Sequence, residues 1–219
     1  MQSVLFVNSQ NTVVRDVTSV NPKFFHMALL SVKNVRMSGL RIRAPPNSPN
    51  TDGIHIERSS GVSIVDTHIG TGDDCISVGQ GNDNVEVSRV QCGPGHGMSV
   101  GSLGRYSGEG DVTRVHVRDM TFTGTMNGVR IKTWENSPSK SNAAHMVFEN
   151  MVMKDVQNPI IIDQKYCPYY NCEHKVRYLF RRRRRRRRLR LCLDSIVAID
   201  VNIITISVSI RSLPLMSTS

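Results

Sequence analysis

Three acidic residues and one histidine, Asp52, Asp73, Asp74 and His96, each stand just ahead of a short apolar run. The runs are Ile54 with Ile56, Ile76 with Val78, and Met98 with Val100, and apolar alternation of this kind reads as β-strand. Two residues back from Ile54, Ile76 and Met98 stand Asp52, Asp74 and His96. If the three runs are neighbouring strands, these side chains form a column with a step of about 4.8 Å. Two carboxylates and an imidazole in a column, with Asp73 beside them, suit acid–base chemistry. Like charges so close cannot all ionise freely, so at least one carboxyl group is expected to hold its proton to a higher pH than usual. A cationic His96 would offset part of the charge and orient a carboxylate. Further along, Arg130 and Lys132 flank Ile131, which turns both away from a core at Ile131. The pair suits an acidic ligand, Arg as a bidentate fork and Lys as a point charge.

Each of these residues also has a plainer reading. A lone Asp at such a turn would cap backbone groups, and a lone Lys132 would be a solvated charge. Adjacent Asp73 and Asp74 tip the balance, because paired carboxylates repel unless something uses them. His96 lies between Gly95 and Gly97, a setting that permits close approach of a ligand or backbone. Asn50 and Gly53 shape the turn that aims Asp52. His26, His55, His68, His116, His145 and His174 lack such surroundings and read as structural. The single Trp134 offers either a face for a sugar or a packing surface.

The elements that position these residues repeat. Apolar residues recur at offsets 0, 2, 5 and 7 from starts at Thr12, Val35, Val62, Val85, Val115 and Met146, which are 23, 27, 23, 30 and 31 residues apart. A second apolar pair follows most starts by 13 to 15 residues, at Met27, Ile76, Met98, Val129 and Ile160. In the second unit the insert Ala44 to Asn50 delays it to Ile54. Units of this length, each holding two or three short strands, describe a solenoid. Frequent β-branched residues, Gly and Asn speak against helical repeats, so the fold class expected is all-β, a parallel β-helix. An antiparallel sandwich of similar strand count would not place Asp52, Asp74 and His96 at equivalent points of successive units.

Composition narrows the class further. The net charge of +10 over 219 residues comes largely from one place, Arg181 to Arg188 with Arg190. Residues 1–180 carry 18 Lys and Arg against 16 Asp and Glu, so the body has no nucleic-acid footprint. No apolar span of 18 residues suggests a membrane crossing. The first residues, MQSVLFVNSQNTVV, lack the pattern of a signal peptide.

Four motifs in order, NTDGI (Asn50 to Ile54), GDDC (Gly72 to Cys75), GHG (Gly95 to Gly97) and RIK (Arg130 to Lys132), resemble the signatures of the polygalacturonases of glycoside hydrolase family 28, and of plant members in particular. The resemblance spans about residues 5–176. It implies a right-handed parallel β-helix that hydrolyses α-1,4-galacturonosyl bonds of pectin with inversion and without metal or cofactor. By the same resemblance Asp73 is the general acid, Asp52 and Asp74 activate the water, His96 supports them, and Arg130 and Lys132, with Asn50, bind substrate. Inversion rests on the resemblance alone: inverting enzymes usually hold their carboxyls about 6.5–9.5 Å apart, and stacking of Asp52 and Asp74 predicts less. Exo-acting polygalacturonase, rhamnogalacturonan hydrolase and an inactive pectin-binding product are the alternatives.

Cys75 and Cys92 fall where adjacent coils meet, and a disulfide between Cys167 and Cys172 would close the loop CPYYNC. The resemblance supports both pairings, whereas the spacing lacks the CxxC of a zinc site. Disulfides imply an oxidising setting, so a secreted, cell-wall location and a monomer acting on pectin are expected. Near Val176 the repeat stops. The expected division is a partial β-helix over 1–178 and an Arg-rich tail over 179–219. The tail reads as an aberrant sequence outside the fold rather than a nucleic-acid patch.

Overall fold

The computed structural model describes residues 2–168 and two short strands beyond them, Leu191–Leu193 and Ile206–Arg211. Left-handed backbone turns, repeated in each unit, convert the offsets of the sequence into a coil. The residue just before each start has positive φ: Asn11, Asn34, Gly61, Asn84, Arg114 and His145 lie between 51° and 65°. The residue four places after each start does the same, at Asp16, Gly39, Asp66, Arg89, Asp119 and Asn150, between 51° and 66°. Asn, Asp and Gly, which tolerate this region at least cost, fill most of these positions. Each turn redirects the chain while the apolar residues between keep facing inward.

Two parallel sheets result. The first joins β1 (Val4–Val7), β4 (Met27–Leu30), β7 (Ile54–Glu57), β9 (Asp74–Val78), β11 (Gly97–Leu103), β14 (Asn127–Trp134) and β16 (Asn158–Tyr166) in that order. The second runs through β2 (Gln10–Arg15), β5 (Lys33–Ser38), β8 (Ser60–Gly70), β10 (Asp83–Cys92), β12 (Val112–Arg118) and β15 (Ala143–Lys154). Three short strands, β3 (Thr18–Val20), β6 (Arg41–Arg43) and β13 (Thr121–Thr123), continue the coil beside it. Beyond β15, β18 (Ile206–Arg211) adds in parallel and β17 (Leu191–Leu193) pairs antiparallel with β18. Among the described residues there is no helix, and none is long and apolar enough to cross a membrane. The fold is a parallel β-helix, right-handed as crossovers between parallel strands are.

The register follows the repeat. Val35, Val62, Val85, Val115 and Met146 stack as direct partners on successive coils, all buried. In the first sheet Met27, Ile54, Ile76, Met98, Val129 and Ile160 stack in the same way, all buried but the partly buried Ile160. Polar stitches fix the turn that follows the first sheet. Ser59 Oγ accepts from Val32 N, Asn82 Oδ1 accepts from Ser59 N, and Asn82 Nδ2 donates to the carbonyls of Ile56 and Gly79. A disulfide between Cys75 of β9 and Cys92 at the end of β10 crosses the core. Cys167 is also disulfide-bonded; Cys172 lies outside the described residues, as does Cys192 in all but its backbone. At the first coil Leu5, Val13 and Val20 are exposed.

Candidate active site

The predicted acidic residues gather where β7, β9 and β11 begin. The turn before β9 is held by Thr51, whose Oγ1 accepts from Gly72 N at 3.0 Å and hydrogen-bonds Ser48 of the Ala44 to Asn50 insert. Asn50 itself is exposed, with φ of 54°, which fits a turn-shaping role. Asp73 then caps its own turn: its Oδ1 accepts from Asp74 N at 2.8 Å and lies 3.0 Å from His96 Nδ1. Asp74 pairs with Lys132, with Nζ and Oδ2 3.2 Å apart. Asp52 is buried, its Oδ2 accepting from Ser77 Oγ at 2.8 Å. Asp52 and Asp74 are buried at 7% and 4% exposure, whereas the Asp73 side chain is 23% exposed to solvent.

The expected column is altered in one respect. The register shifts between Gly97 and Met98, so that Asp74 stands opposite Gly97 and the backbone N–H of His96 donates to Asp73 O. His96 is therefore the neighbour of Asp73 rather than of Asp74. The irregularity is local: Gly97 has φ of +91°, and a Cβ there would meet the carbonyl of Asn127 at 2.0 Å. Counting residues back from an apolar pair assumes a continuous ladder and cannot anticipate such a shift.

Electrostatics divide the three carboxyls. Burial, followed by the charges of Asp74 and Asp73, pushes Asp52 up to about 8, against the Ser77 hydrogen bond and Lys132. Burial would raise Asp73 too, but the hydrogen bond and charge of His96, the Asp74 N–H and Lys132 outweigh it and hold Asp73 below its ordinary value. The hydrogen bond to Asp73, with the charges of Asp73 and Asp74, raises His96 over the effect of burial. Burial and like charge thus favour a protonated Asp52, and the contact of Asp73 with His96 favours an ion pair.

Arg130 and Lys132 do face away from the core, but neither is the free cation that the sequence suggested. Lys132 is 9% exposed and committed to Asp74, and Arg130 reaches Asp163 at 3.3 Å. Sequence reading missed Tyr166, whose ring lies 5.4 Å from the Arg130 guanidinium and 5.5 Å from Lys132 Nζ. Trp134 packs edge-on against Tyr166 at 5.7 Å and carries Arg105 over its face at 5.2 Å. Ser99 and Arg130 are register partners, and Ser99 Oγ and Arg130 Nε are buried without a hydrogen-bond partner. His55 was also missed: its Nδ1 lies 2.8 Å from Ser77 Oγ, one hydroxyl away from Asp52. Among the described residues Asp73, Asp74 and His96 form the one grouping whose ligand atoms, all within 4.8 Å, could surround a metal ion. Lys132 already brings a positive charge to Asp74, and His96 to Asp73, so the set fits a proton-sharing cluster better than a cation.

The parallel β-helix, with its carboxylate trio and cationic flank, agrees with what comparison with known proteins finds. The chain belongs to glycosyl hydrolases family 28, whose model matches residues 2–178. It is 50% identical over 166 residues to an exopolygalacturonase of Platanus acerifolia, covering 76% of this chain and 44% of the relative. To a polygalacturonase of Brassica napus it is 51% identical over 170 residues, 78% of this chain and 43% of the relative. The chain thus spans less than half the length of these relatives. Among solved structures, polygalacturonase from Erwinia carotovora ssp. carotovora aligns with a TM-score of 0.67 and 30% identity over 75% of this chain and 43% of that one. Endo-xylogalacturonan hydrolase from Aspergillus tubingensis shares the fold at a TM-score of 0.71, with 24% identity over 74% of this chain and 45% of that one.

Proposed function

We propose that the protein hydrolyses α-1,4-galacturonosyl bonds of pectin by an inverting acid–base mechanism, as a secreted monomer of the cell wall that needs no metal or cofactor. The observation that carries this reading is the trio of carboxyls at three depths, each with its own partner: Asp73 with His96, Asp74 with Lys132, Asp52 with Ser77. Glycoside hydrolysis needs one carboxyl to protonate the leaving oxygen and another to take a proton from water. Asp73, exposed to solvent, is placed to reach a glycosidic oxygen. Asp52 and Asp74 lie behind it as acceptors for the proton of the water. The electrostatics of the free site favour a proton on Asp52 over Asp73, and we assign the roles by reach first and by resting protonation second. An acidic sugar bound beside Arg130 and Lys132 adds a further negative charge, which favours a protonated Asp73.

The orphaned Ser99 Oγ and Arg130 Nε, beside the ring of Tyr166, support a polar ligand with an aromatic contact at this flank. The core disulfide supports an oxidising, extracellular setting. Residues 179–219 we read as a tail apart from the catalytic residues of the body, residues 1–178, although β18 within the tail pairs with β15. Attack at chain ends is the second reading, favoured because relatives from Platanus acerifolia and Oenothera organensis are named exopolygalacturonases. Separating the products formed from polygalacturonate decides between them. Monogalacturonate alone indicates end attack, a ladder of oligomers indicates internal attack, and neither product refutes the proposal.

A further inference from the structure

The hydroxyl of Ser77 touches Asp52 on one side and an imidazole on the other. Its Oγ lies 2.8 Å from Asp52 Oδ2 and 2.8 Å from His55 Nδ1. His55 Nε2 is in turn 3.5 Å from Glu57 Oε2, and Glu57 is fixed by Gln80 Nε2 at 3.0 Å. Asp52 and Ser77 are buried at 7% and 3% exposure, while the His55 side chain is 21% exposed. Asp52, Ser77 and His55 therefore form a hydrogen-bonded line from a buried carboxyl of the site toward water, with Glu57 as an ion-pair partner at its outer end. His55 and Ser77 are register partners on β7 and β9, so the backbone ladder sets their spacing. The ring of Phe25, its centroid 4.9 Å away, backs the imidazole.

A hydroxyl has one hydrogen, and that fixes the arithmetic of the line. When Asp52 is a carboxylate, Ser77 donates to it and must accept from His55 Nδ1–H. When Asp52 is protonated, its O–H donates to Ser77 Oγ and the Ser77 O–H donates to a bare Nδ1. We propose that Ser77 and His55 form a proton path that clears Asp52 after it has taken a proton from the attacking water, with Glu57 holding the imidazole. The path rests on the reading of Asp52 as that acceptor. In the step, the Asp52 O–H bond breaks and an O–H bond forms on Ser77. The former Ser77 O–H breaks and Nδ1–H forms. Asp52 is left a carboxylate and His55 an imidazolium facing Glu57, and the exposed ring passes a proton to water. Both residues are positioning residues that act through Asp52 and touch no substrate. The charged groups facing the path are Asp73, Asp74 and Lys132 at its inner end and Glu57 with Arg58 at its outer end; the β4 partner of His55 is Ala28.

The test uses the full 219-residue chain. Ser77→Ala and His55→Ala are each expected to lower kcat on polygalacturonate about tenfold with KM unchanged, and added imidazole should restore the rate of His55→Ala but not of Ser77→Ala. In the wild-type chain, the ring nitrogens of His55, followed by ¹⁵N NMR, should report the titration of Asp52, and Asp52→Asn or Ser77→Ala should erase that response. This second measurement needs no turnover. If Asp52→Asn abolishes activity while both path variants keep wild-type kcat, the path is refuted and the reading of Asp52 stands. If Asp52→Asn stays active, the reading of Asp52 falls and the path with it. A His55 ring indifferent to Asp52→Asn also refutes the path.

Discussion

Asp73, as the proton donor of the proposed reaction, is the residue on which a single substitution tells most. Asp73→Asn keeps the shape and the acceptor for Asp74 N but removes the transferable proton, so the rate should fall about 100-fold or more with an unchanged β-sheet circular dichroism spectrum. Retention of a tenth of the rate would remove Asp73 from the acid role. Asp52 gives a prediction on stability. Its folded value of about 8 lies above the ordinary 3.8, so between those limits the folded chain holds a proton that the unfolded chain has lost. The folded state binds more protons, and stability falls as pH rises across the window, by up to about 1.4 kcal/mol per pH unit for one proton. Urea unfolding of wild type against Asp52→Asn should show this slope in the former and a flatter one in the latter. Lys132→Ala should weaken binding to polygalacturonate more than to its methyl ester, and should also disturb Asp74, its ion-pair partner. Equal loss on both ligands would mean that Lys132 serves Asp74 alone. At this scale the sequence showed the residue types but not their pairing. Nothing in GDDC or GHG tells that His96 turns to Asp73, because the register shift at Gly97 goes with a close approach to the Asn127 carbonyl, 30 residues on in the chain. His55 and Tyr166 were invisible for a related reason: their partners, Ser77 and Arg130, are 22 and 36 residues distant.

Among elements, β9 does the most, since it carries Asp74, Cys75 and Ser77 and is buried along its whole length. The disulfide from Cys75 closes 17 residues to Cys92, and a loop of about 15 residues is worth roughly 3 kcal/mol in the chain-entropy account. Cys92→Ser should lower stability by about that amount, measured by thermal unfolding with and without reductant; a change confined to a few tenths would show that the core alone fixes β9. Gly97→Ala is expected to cost more than about 1 kcal/mol, since the residue combines a left-handed φ with a neighbouring carbonyl in the space for a Cβ. The coil itself was legible in the sequence, because the offsets 0, 2, 5 and 7 are the inward residues and the positions between and before them are the left-handed turns. Val35, Val62, Val85, Val115 and Met146, chosen by offset, are the partners found in the ladder.

For the whole molecule, charge and length matter most. Residues 1–180 are nearly neutral, so affinity for polyanions other than substrate should come from Arg181 to Arg190. Binding of the full chain to a short DNA duplex should fall steeply between low and high salt, and removal of residues 181–219 should abolish it; sequence-selective binding by the shortened chain would contradict the reading of the body. The repeat pattern and the four motifs carried the class of the molecule, because a solenoid is built from local periodicity. The measurement closest to the central claim is the release of reducing ends from polygalacturonate by the purified 219-residue chain, run beside Asp73→Asn at mildly acidic pH. The account predicts steady release by the wild-type chain and loss of at least about 99% of it in the variant. Release that is absent from both, or equal in both, would contradict it.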